Sequence, residues 1–393
     1  MHIAIPFCSS IAAPSFYQDF IEGLEAAAAA LGHSSERVVF AQLDRLEQDE
    51  LDRFFRWSRQ ARCDLVLDVC CWGYGLSRTR LWNSDGSVGA TIFDSLGARY
   101  CALLYDQPYF QPLAGLETDG LVVGCPDQNH AELIRRIYPQ VRMRATAFVP
   151  PATRLENNCS FAPWSEKWPG ILYVGNLAPL APARFWQDVP HRDAYDAVAD
   201  TALAHPDRPL HLCAFAALHH LGVELPAAEL VELLRSLEYW MRQQLRHRVV
   251  TEVARSGIPM RIYGEGWDSI GLPSNAEVHA QTDYRGFMKI IGSARLALDV
   301  STYLGGANDR VFNFAVNRTA FFTNAHAWLR EAFGTESGAY FYSLRNLAGL
   351  GARIAEVLAH PAELELRAER ARETALAGHL WTHRLQAVLE AAF

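Results

Sequence analysis

Short unbroken apolar runs, separated by stretches of helical periodicity, fill the first 150 residues. Met1–Phe7 (MHIAIPF) reads as a strand. The segment 15–32 (SFYQDFIEGLEAAAAALG) reads as a helix ending at Gly32, a residue suited to a helix C-terminus. RVVFAQL at 37–43 predicts a second strand, and a helix rich in acids and bases follows it. CDLVLDVCCWG at 63–73, ARYCALLYDQP at 98–108 and DGLVVGC at 119–125 predict further strands, with a helix starting near Pro126 and Asp127. Runs without polar alternation indicate strands buried on both faces. Their alternation with helices predicts parallel, doubly wound α/β sheets.

The pattern lapses at 148–170 (FVPPATRLENNCSFAPWSEKWPG), where paired prolines and polar residues replace periodicity. We therefore expect an N-terminal Rossmann-like acceptor domain over 1–150, a linker over 151–170 and a C-terminal Rossmann-like domain over 171–393. The second domain opens with GILYVGNLAP at 170–179 and continues into a helical block from about Asp193 to Ser256. MRIYGEGW (260–267), AEVHAQ (276–281), LALDVS (296–301) and TAFFTN (319–324) predict four more strands. The last helix is expected to cross back to the first domain. In open α/β sheets ligands bind beyond the carboxyl ends of the strands, so the expected site is a cleft between the two domains.

Composition narrows the function. The 36 basic and 44 acidic residues give a net charge of −8, which supplies no global basic field for duplex nucleic acid. The eight cysteines form no C-x-x-C pair and lie mostly in apolar runs, which implies buried free thiols rather than a zinc or redox site. The N-terminus has no basic start, and the alanine run is too short to span a bilayer, so a cytoplasmic protein with no membrane span is expected. G-x-G-x-x-G after the first strand, G-x-x-x-x-G-K-[ST], G-x-S-x-G, H-E-x-x-H and D-x-D are all absent. No metal site is expected.

The segment 296–324 (LALDVSTYLGGANDRVFNFAVNRTAFFTN) carries the most chemistry. A strand ends near Ser301, Gly305 and Gly306 turn the chain, and Asn308–Asp309 are placed to cap a helix starting at Arg310. Such a helix end presents N–H groups and positive potential, and a guanidinium suits phosphate oxygens. From spacing alone, a plain cap with a solvent-exposed Arg fits equally well.

The run Asn308-Asp309-Arg310-Val311-Phe312 followed by a helix and AFFTN resembles the C-terminal domain of CgeB-like glycosyltransferases of the GT-B fold. Ile171–Pro179 (ILYVGNLAP) and Arg261–Trp267 (RIYGEGW) are similar to other segments of that family. So is HLWTHRLQAVL, with His379, His383 and Arg384. LLYDQPYF (103–110) resembles related N-terminal domains of the DUF3880 type, and FVPPAT their crossover. The resemblance implies two Rossmann-like domains, a nucleotide-sugar donor as substrate, no cofactor and no obligatory metal. In the family the Arg-x-Phe is commonly followed by a Glu that holds the ribose; here that position is Asn313, an amide without charge.

On this reading Gly175 and Asn176 let the donor approach the backbone. Tyr263, Gly264, Glu265 and Trp267 meet its base, with Tyr284 a further candidate. Gly305, Gly306, Asn308, Asp309 and Asn313 complete the donor site. Arg310 neutralises the leaving diphosphate. Asp106, at a strand end, is the expected base for the acceptor's proton, ahead of Asp68, Asp19 and His130. The loops 8–15 and 72–87, with Trp72, Tyr74 and Trp82, suit an acceptor, whether protein, glycan or small metabolite. Two other classes stay open: a non-catalytic coat or assembly protein on this fold, and a sugar-nucleotide epimerase, for which no acid/base cluster is visible.

Overall fold

The computed structural model describes residues 1–9, 15–41, 47–116, 118, 120–155, 162–178 and 184–393. The middle of the 8–15 loop, Pro179, Cys159 and part of the 151–170 segment lie outside the described residues. The chain forms two compact units, Met1–Arg154 with Leu380–Phe393, and Leu155–His379.

The first unit runs β1 (His2–Cys8), α1 (Ser15–Ala30), β2 (Ser34–Phe40), α2 (Gln48–Ala61), β3 (Cys63–Val69), α3 (Tyr74–Arg78), β4 (Arg80–Trp82) and β5 (Val88–Thr91). It continues with α4 (Ile92–Leu96), β6 (Arg99–Leu103), β7 (Leu121–Cys125), α5 (His130–Ile137) and β8 (Met143–Phe148). Six strands form a parallel sheet in the order β2-β1-β3-β6-β7-β8, and β4 pairs antiparallel with β5.

The second unit runs β9 (Trp168–Val174), α6 (Arg192–Ala204), α7 (Leu210–Leu221), α8 (Ala227–Arg255), β10 (Met260–Tyr263), β11 (Ala276–His279), α9 (Tyr284–Gly292) and β12 (Ala294–Leu298). Then come α10 (Asp309–Val316), β13 (Ala320–Asn324), α11 (Ala327–Phe333), β14 (Ala339–Tyr342), α12 (Leu350–Ala359) and α13 (Pro361–Gly378). Its parallel sheet has the order β11-β10-β9-β12-β13-β14. The final helix, α14 (Trp381–Ala392), belongs to the first unit.

The doubly wound α/β class predicted from the apolar runs is the one observed. All five residues of β7 and all five of β13 are buried, as strands covered on both faces require. Helix α1 buries Phe20, Ile21, Leu24, Ala27 and Ala28, one stripe at helical spacing. Helix α14 adds Trp381, Leu385, Val388 and Ala392 to the same core. The larger of these, such as Phe20, Ile21, Leu24 and Leu385, contribute about 1.5–3 kcal/mol each when fully buried. Gly23 of α1 is required by Trp381, whose indole Cδ1 would lie 2.4 Å from an added Cβ. The start of α14 is pinned three times. Trp381 N donates to Thr153 O (3.2 Å), Arg384 Nε to Pro150 O (2.8 Å), and Leu380 N to His383 Nδ1 (3.2 Å).

The structure departs from the sequence reading in several places. The helix expected near Pro126 begins at His130, because the Asp127 carboxylate accepts the Asn129 N–H (2.8 Å) and delays the first turn. Strands β8 and β14 were not foreseen; both are edge strands, and β8 is only half-buried. Strand β9 already starts at Trp168, inside the segment taken as linker. The 72–87 loop contains α3 and most of the β4–β5 hairpin, on which Trp82 is 75% exposed, whereas Trp72 is buried edge-on against Phe7 and Tyr17.

Both sheets have a topological switch point. In the second unit the chain moves outward from β9 to β10 and β11, then returns to β12 on the other side of β9. In the first, β2 and β3 flank β1. The crevices beyond β9/β12 and beyond β1/β3 are the places where such sheets take ligands.

Candidate active site

The loops leaving β9 and β10 interlock. Gly175 N donates to Tyr263 O (3.0 Å), Leu177 N to Glu265 O (2.9 Å), and Glu265 N to Asn176 Oδ1 (3.0 Å). The approach is so close that a Cβ on Gly264 would stand 2.4 Å from Gly175 O, and one on Gly266 only 1.8 Å from Leu177 O. Gly266 also has φ +85°, a region that favours glycine. Trp267, expected to face a base, is fully buried, and its indole N–H donates to Gly175 O (2.7 Å). It shapes the loop from behind and offers no face to a ligand. Tyr263 stacks on His279 with centroids 4.6 Å apart, while Glu265 and Asn176 are exposed.

Beyond β12 the chain passes through buried Gly305 and Gly306 into α10. The helix starts at Asp309, one residue earlier than expected, with Asn308 at the N-cap. The Asn308 side chain makes no capping hydrogen bond, and its Oδ1 is buried without a partner. Asp309 instead accepts from Asn313 Nδ2 (3.0 Å), and the buried Asn313 Oδ1 accepts from Tyr284 Oη (3.3 Å). Asn313 is thus committed to positioning Asp309 and Tyr284. Burial lifts the Asp309 carboxyl to about 6, against the pull of Arg310.

Arg310 is neither a free helix-start cation nor a solvent-exposed one. Its side chain is 17% exposed, Nη1 donates to Val174 O at 2.6 Å, and Nε lies 3.8 Å from Asp299 Oδ1. Asp299 is fully buried and accepts from Thr323 Oγ1 (2.9 Å). Burial opposes charge on the guanidinium, but Asp299, Tyr173 and Asp309 outweigh it and hold the pKa above its ordinary value. Arg310 therefore stays cationic beside Gly175, where an added Cβ would meet its Nη1 at 3.1 Å and Tyr173 Oη at 3.0 Å. This is a backbone-open position bordered by a permanent positive charge at the switch point of the sheet.

In the first unit, Asp106 follows β6 and is half-buried. Tyr17 and Cys70 lie within its electrostatic reach: burial raises both side chains' pKa values, and Asp106 raises them further. Asp68, the second candidate base, is fully buried. It accepts from Gly73 N (2.9 Å) and from the Tyr100 hydroxyl, and burial lifts it to about 7 despite those bonds. It braces the turn in which Cys70 and Cys71 both adopt positive φ (54° and 58°), a strained pair of non-glycine residues. Asp19 is ion-paired with Arg154 (2.7 Å), and buried His130 contacts Gln107 Oε1 through Nε2 (2.8 Å). Asp19, Asp68 and His130 are buried, whereas Asp106 is half-buried. Among the described residues, no group of three or more His, Cys, Asp or Glu side chains is placed to hold a metal.

Two side chains that the sequence reading passed over reach the β9 loop from α8. Gln243 Oε1 accepts from Ala178 N (3.0 Å), and Arg246 Nη1 donates to Asn176 O (2.9 Å). The sequence carried little signal for either, because α8 buries residues on several of its faces, from Leu230 to Ala254. The family-like ending is structural: buried His379 stacks on Phe312 (4.8 Å) and Phe333 (5.6 Å), while His383 and Arg384 anchor α14.

With this geometry in place, likeness to known proteins can be read. Residues 235–390 match the family model described as glycosyl transferase-like. Among curated proteins none matches by sequence. An alpha-glucosyltransferase solved with UDP-glucose and DNA containing an abasic site is similar at 12% identity, over 100% of this chain and 99% of its own, with a TM-score of 0.55. Sucrose-phosphate synthase from Thermosynechococcus elongatus is similar at 10% identity, over 99% and 97%, with a TM-score of 0.52. AviGT4, a glycosyltransferase involved in avilamycin A biosynthesis, is similar at 13% identity, over 100% and 97%, with a TM-score of 0.51. The chain thus has the fold of GT-B glycosyltransferases, and over residues 235–390 it is similar to the glycosyl transferase-like family.

Proposed function

We propose that this protein moves a hexose-type sugar from a nucleotide-sugar donor to a protein, glycan or small-molecule acceptor, with no obligatory metal or cofactor. The observation that carries the reading is Arg310 at the start of α10, held beside Gly175 at the β9/β12 switch point. As the donor's glycosidic bond breaks, negative charge grows on the leaving diphosphate. A fixed cation and helix N–H groups stabilise that charge without reorganising. A guanidinium in this role replaces the divalent ion that other diphosphate sites use. Asp106 is assigned the acceptor's proton.

The fold is shared with a transferase solved with UDP-glucose, which supports a nucleotide-sugar donor. That transferase was solved with DNA, but the net charge of −8 here favours a different acceptor. Kinship with CgeB-like transferases rests on Asn308–Phe312 and Arg261–Trp267. A cytoplasmic location fits the seven buried free thiols among the described residues.

Incubation with UDP-, GDP- and dTDP-sugars in EDTA tests the proposal. Release of one nucleoside diphosphate, with sugar moved to water or acceptor, is expected. Binding of a nucleotide without turnover of any donor would instead support a non-catalytic assembly protein, and a strict Mg²⁺ or Mn²⁺ requirement would contradict the assigned role of Arg310.

A further inference from the structure

We infer that Arg246, on helix α8, is a second anion-binding side chain that acts with Arg310, so that the seat takes a diphosphate in preference to a monophosphate. The inference rests on the reading of the β9/β12 crevice as a donor site. The two guanidiniums reach the β9 exit from different helices and hold alternate carbonyls of one loop. Arg310 Nη1 takes Val174 O at 2.6 Å and Arg246 Nη1 takes Asn176 O at 2.9 Å, with Gly175 between them. Neither bond uses more than one donor of a five-donor fork. The Nε–H of Arg246 is buried and has no hydrogen-bond partner, a costly arrangement for a cation unless something else completes it.

The electrostatics agree. Burial lowers the pKa of Arg246, and the charge of Arg310 lowers it further, against the favourable fields of Tyr173 and Asp299. Two cations therefore crowd one loop, and the carboxylates set against them are the buried Asp299 and Asp309, whose own pKa is already pushed up to about 6. Such a site is under-neutralised. An anion with charge on two neighbouring phosphate groups offers each guanidinium its own set of oxygens, and so relieves the repulsion more fully than a single phosphate.

The test is calorimetric titration of the full chain with inorganic pyrophosphate, inorganic phosphate, a nucleoside diphosphate and the free nucleoside. Wild type is compared with Arg246→Gln, Arg246→Lys and Arg310→Lys. Arg246→Gln removes the charge and shortens the side chain, whereas Arg246→Lys keeps the charge and most of the reach, and the free nucleoside reports whether the loop has changed shape. Arg246→Gln should weaken pyrophosphate and nucleoside diphosphate roughly 10- to 150-fold, the range for charge-assisted bonds. It should leave phosphate and nucleoside nearly unchanged, and Arg246→Lys should recover part of the loss. Unchanged pyrophosphate binding in Arg246→Gln, with loss in Arg310→Lys, would overturn the inference while sparing the donor-site reading. An equal loss for nucleoside and pyrophosphate would also overturn it, because Arg246 would then act only through loop shape. No pyrophosphate binding by wild type would bring down both.

Discussion

Arg310 donates through Nη1 to the carbonyl oxygen of Val174 at 2.6 Å, tying the first turn of α10 to the last residue of β9. Residues 136 positions apart are thereby joined across the point where the order of the second sheet reverses. The contact fixes the cation rather than leaving it to swing in solvent. Preorganisation of this kind is what the proposed diphosphate seat would require of its cation. It also gives Arg310 a structural duty that the sequence reading did not foresee, since buried Asp299 Oδ1 has no hydrogen-bond partner among the described residues and has the Arg310 Nε countercharge 3.8 Å away.

The interlocked β9 and β10 loops make Gly266 intolerant of a side chain. In Gly266→Ala the new Cβ would meet Leu177 O at 1.8 Å in a left-handed backbone conformation, so the loop must move. A loss of about 1–3 kcal/mol is expected from the forced backbone strain. Urea unfolding should show the loss, with weaker nucleotide binding in the folded fraction. Unchanged stability and affinity would mean that the loops are not locked as described.

Helix α14 is predicted to be integral to the first unit. Trp381 is 2% exposed, lies edge-on to Phe20 (5.1 Å) and Tyr105 (5.7 Å), and abuts Gly23. Trp381→Ala should cost about 3–5 kcal/mol, as large aromatic truncations in cores do. A change below 1 kcal/mol in equilibrium unfolding would show that the helix is a loosely attached tail.

How much of this was legible follows from what each residue's neighbours reveal. Strands such as β7 and β13 are visible because burial on both faces leaves unbroken apolar runs. The edge strand β8 (MRATAF) was missed because it mixes polar and apolar positions, and the edge strand β14 (AYFY) because four residues make too short a run to stand out. Arg310 stood out from the Gly-rich turn and the helix start around it. Arg246 did not, since it lies among Arg242, His247 and Arg248 and reads as part of a solvated face. Asp68 and Asp106 look alike as strand-end carboxylates; burial, which no local pattern encodes, separates the fully buried turn brace Asp68 from the half-buried Asp106.

The buried Asp68 predicts a pH signature. Its folded pKa, about 7, lies above the unfolded value, so the native state binds more protons between roughly pH 4 and 7. Unfolding free energy at this group should therefore fall as pH rises through that window and level off above it, with a slope of at most about 1.4 kcal/mol per pH unit. In Asp68→Asn that slope should vanish, leaving the contribution of Asp309 up to about pH 6. Parallel stability curves for wild type and variant across pH 4–7 would contradict the burial assigned to Asp68.

Titration of nucleoside diphosphate and free nucleoside into wild type, Arg310→Ala and Arg310→Lys shows whether Arg310 holds a diphosphate. If Arg310 is the fixed charge of the diphosphate seat, Arg310→Ala should lose roughly 10- to 150-fold in diphosphate affinity. Nucleoside affinity should barely move, and Arg310→Lys should recover part of the loss, because it restores charge without the planar fork. Circular dichroism should show all three folded at the temperature of the titration. Equal losses for nucleoside and nucleoside diphosphate, or no loss for either in folded protein, would mean that Arg310 only braces β9 and Asp299 and holds no diphosphate.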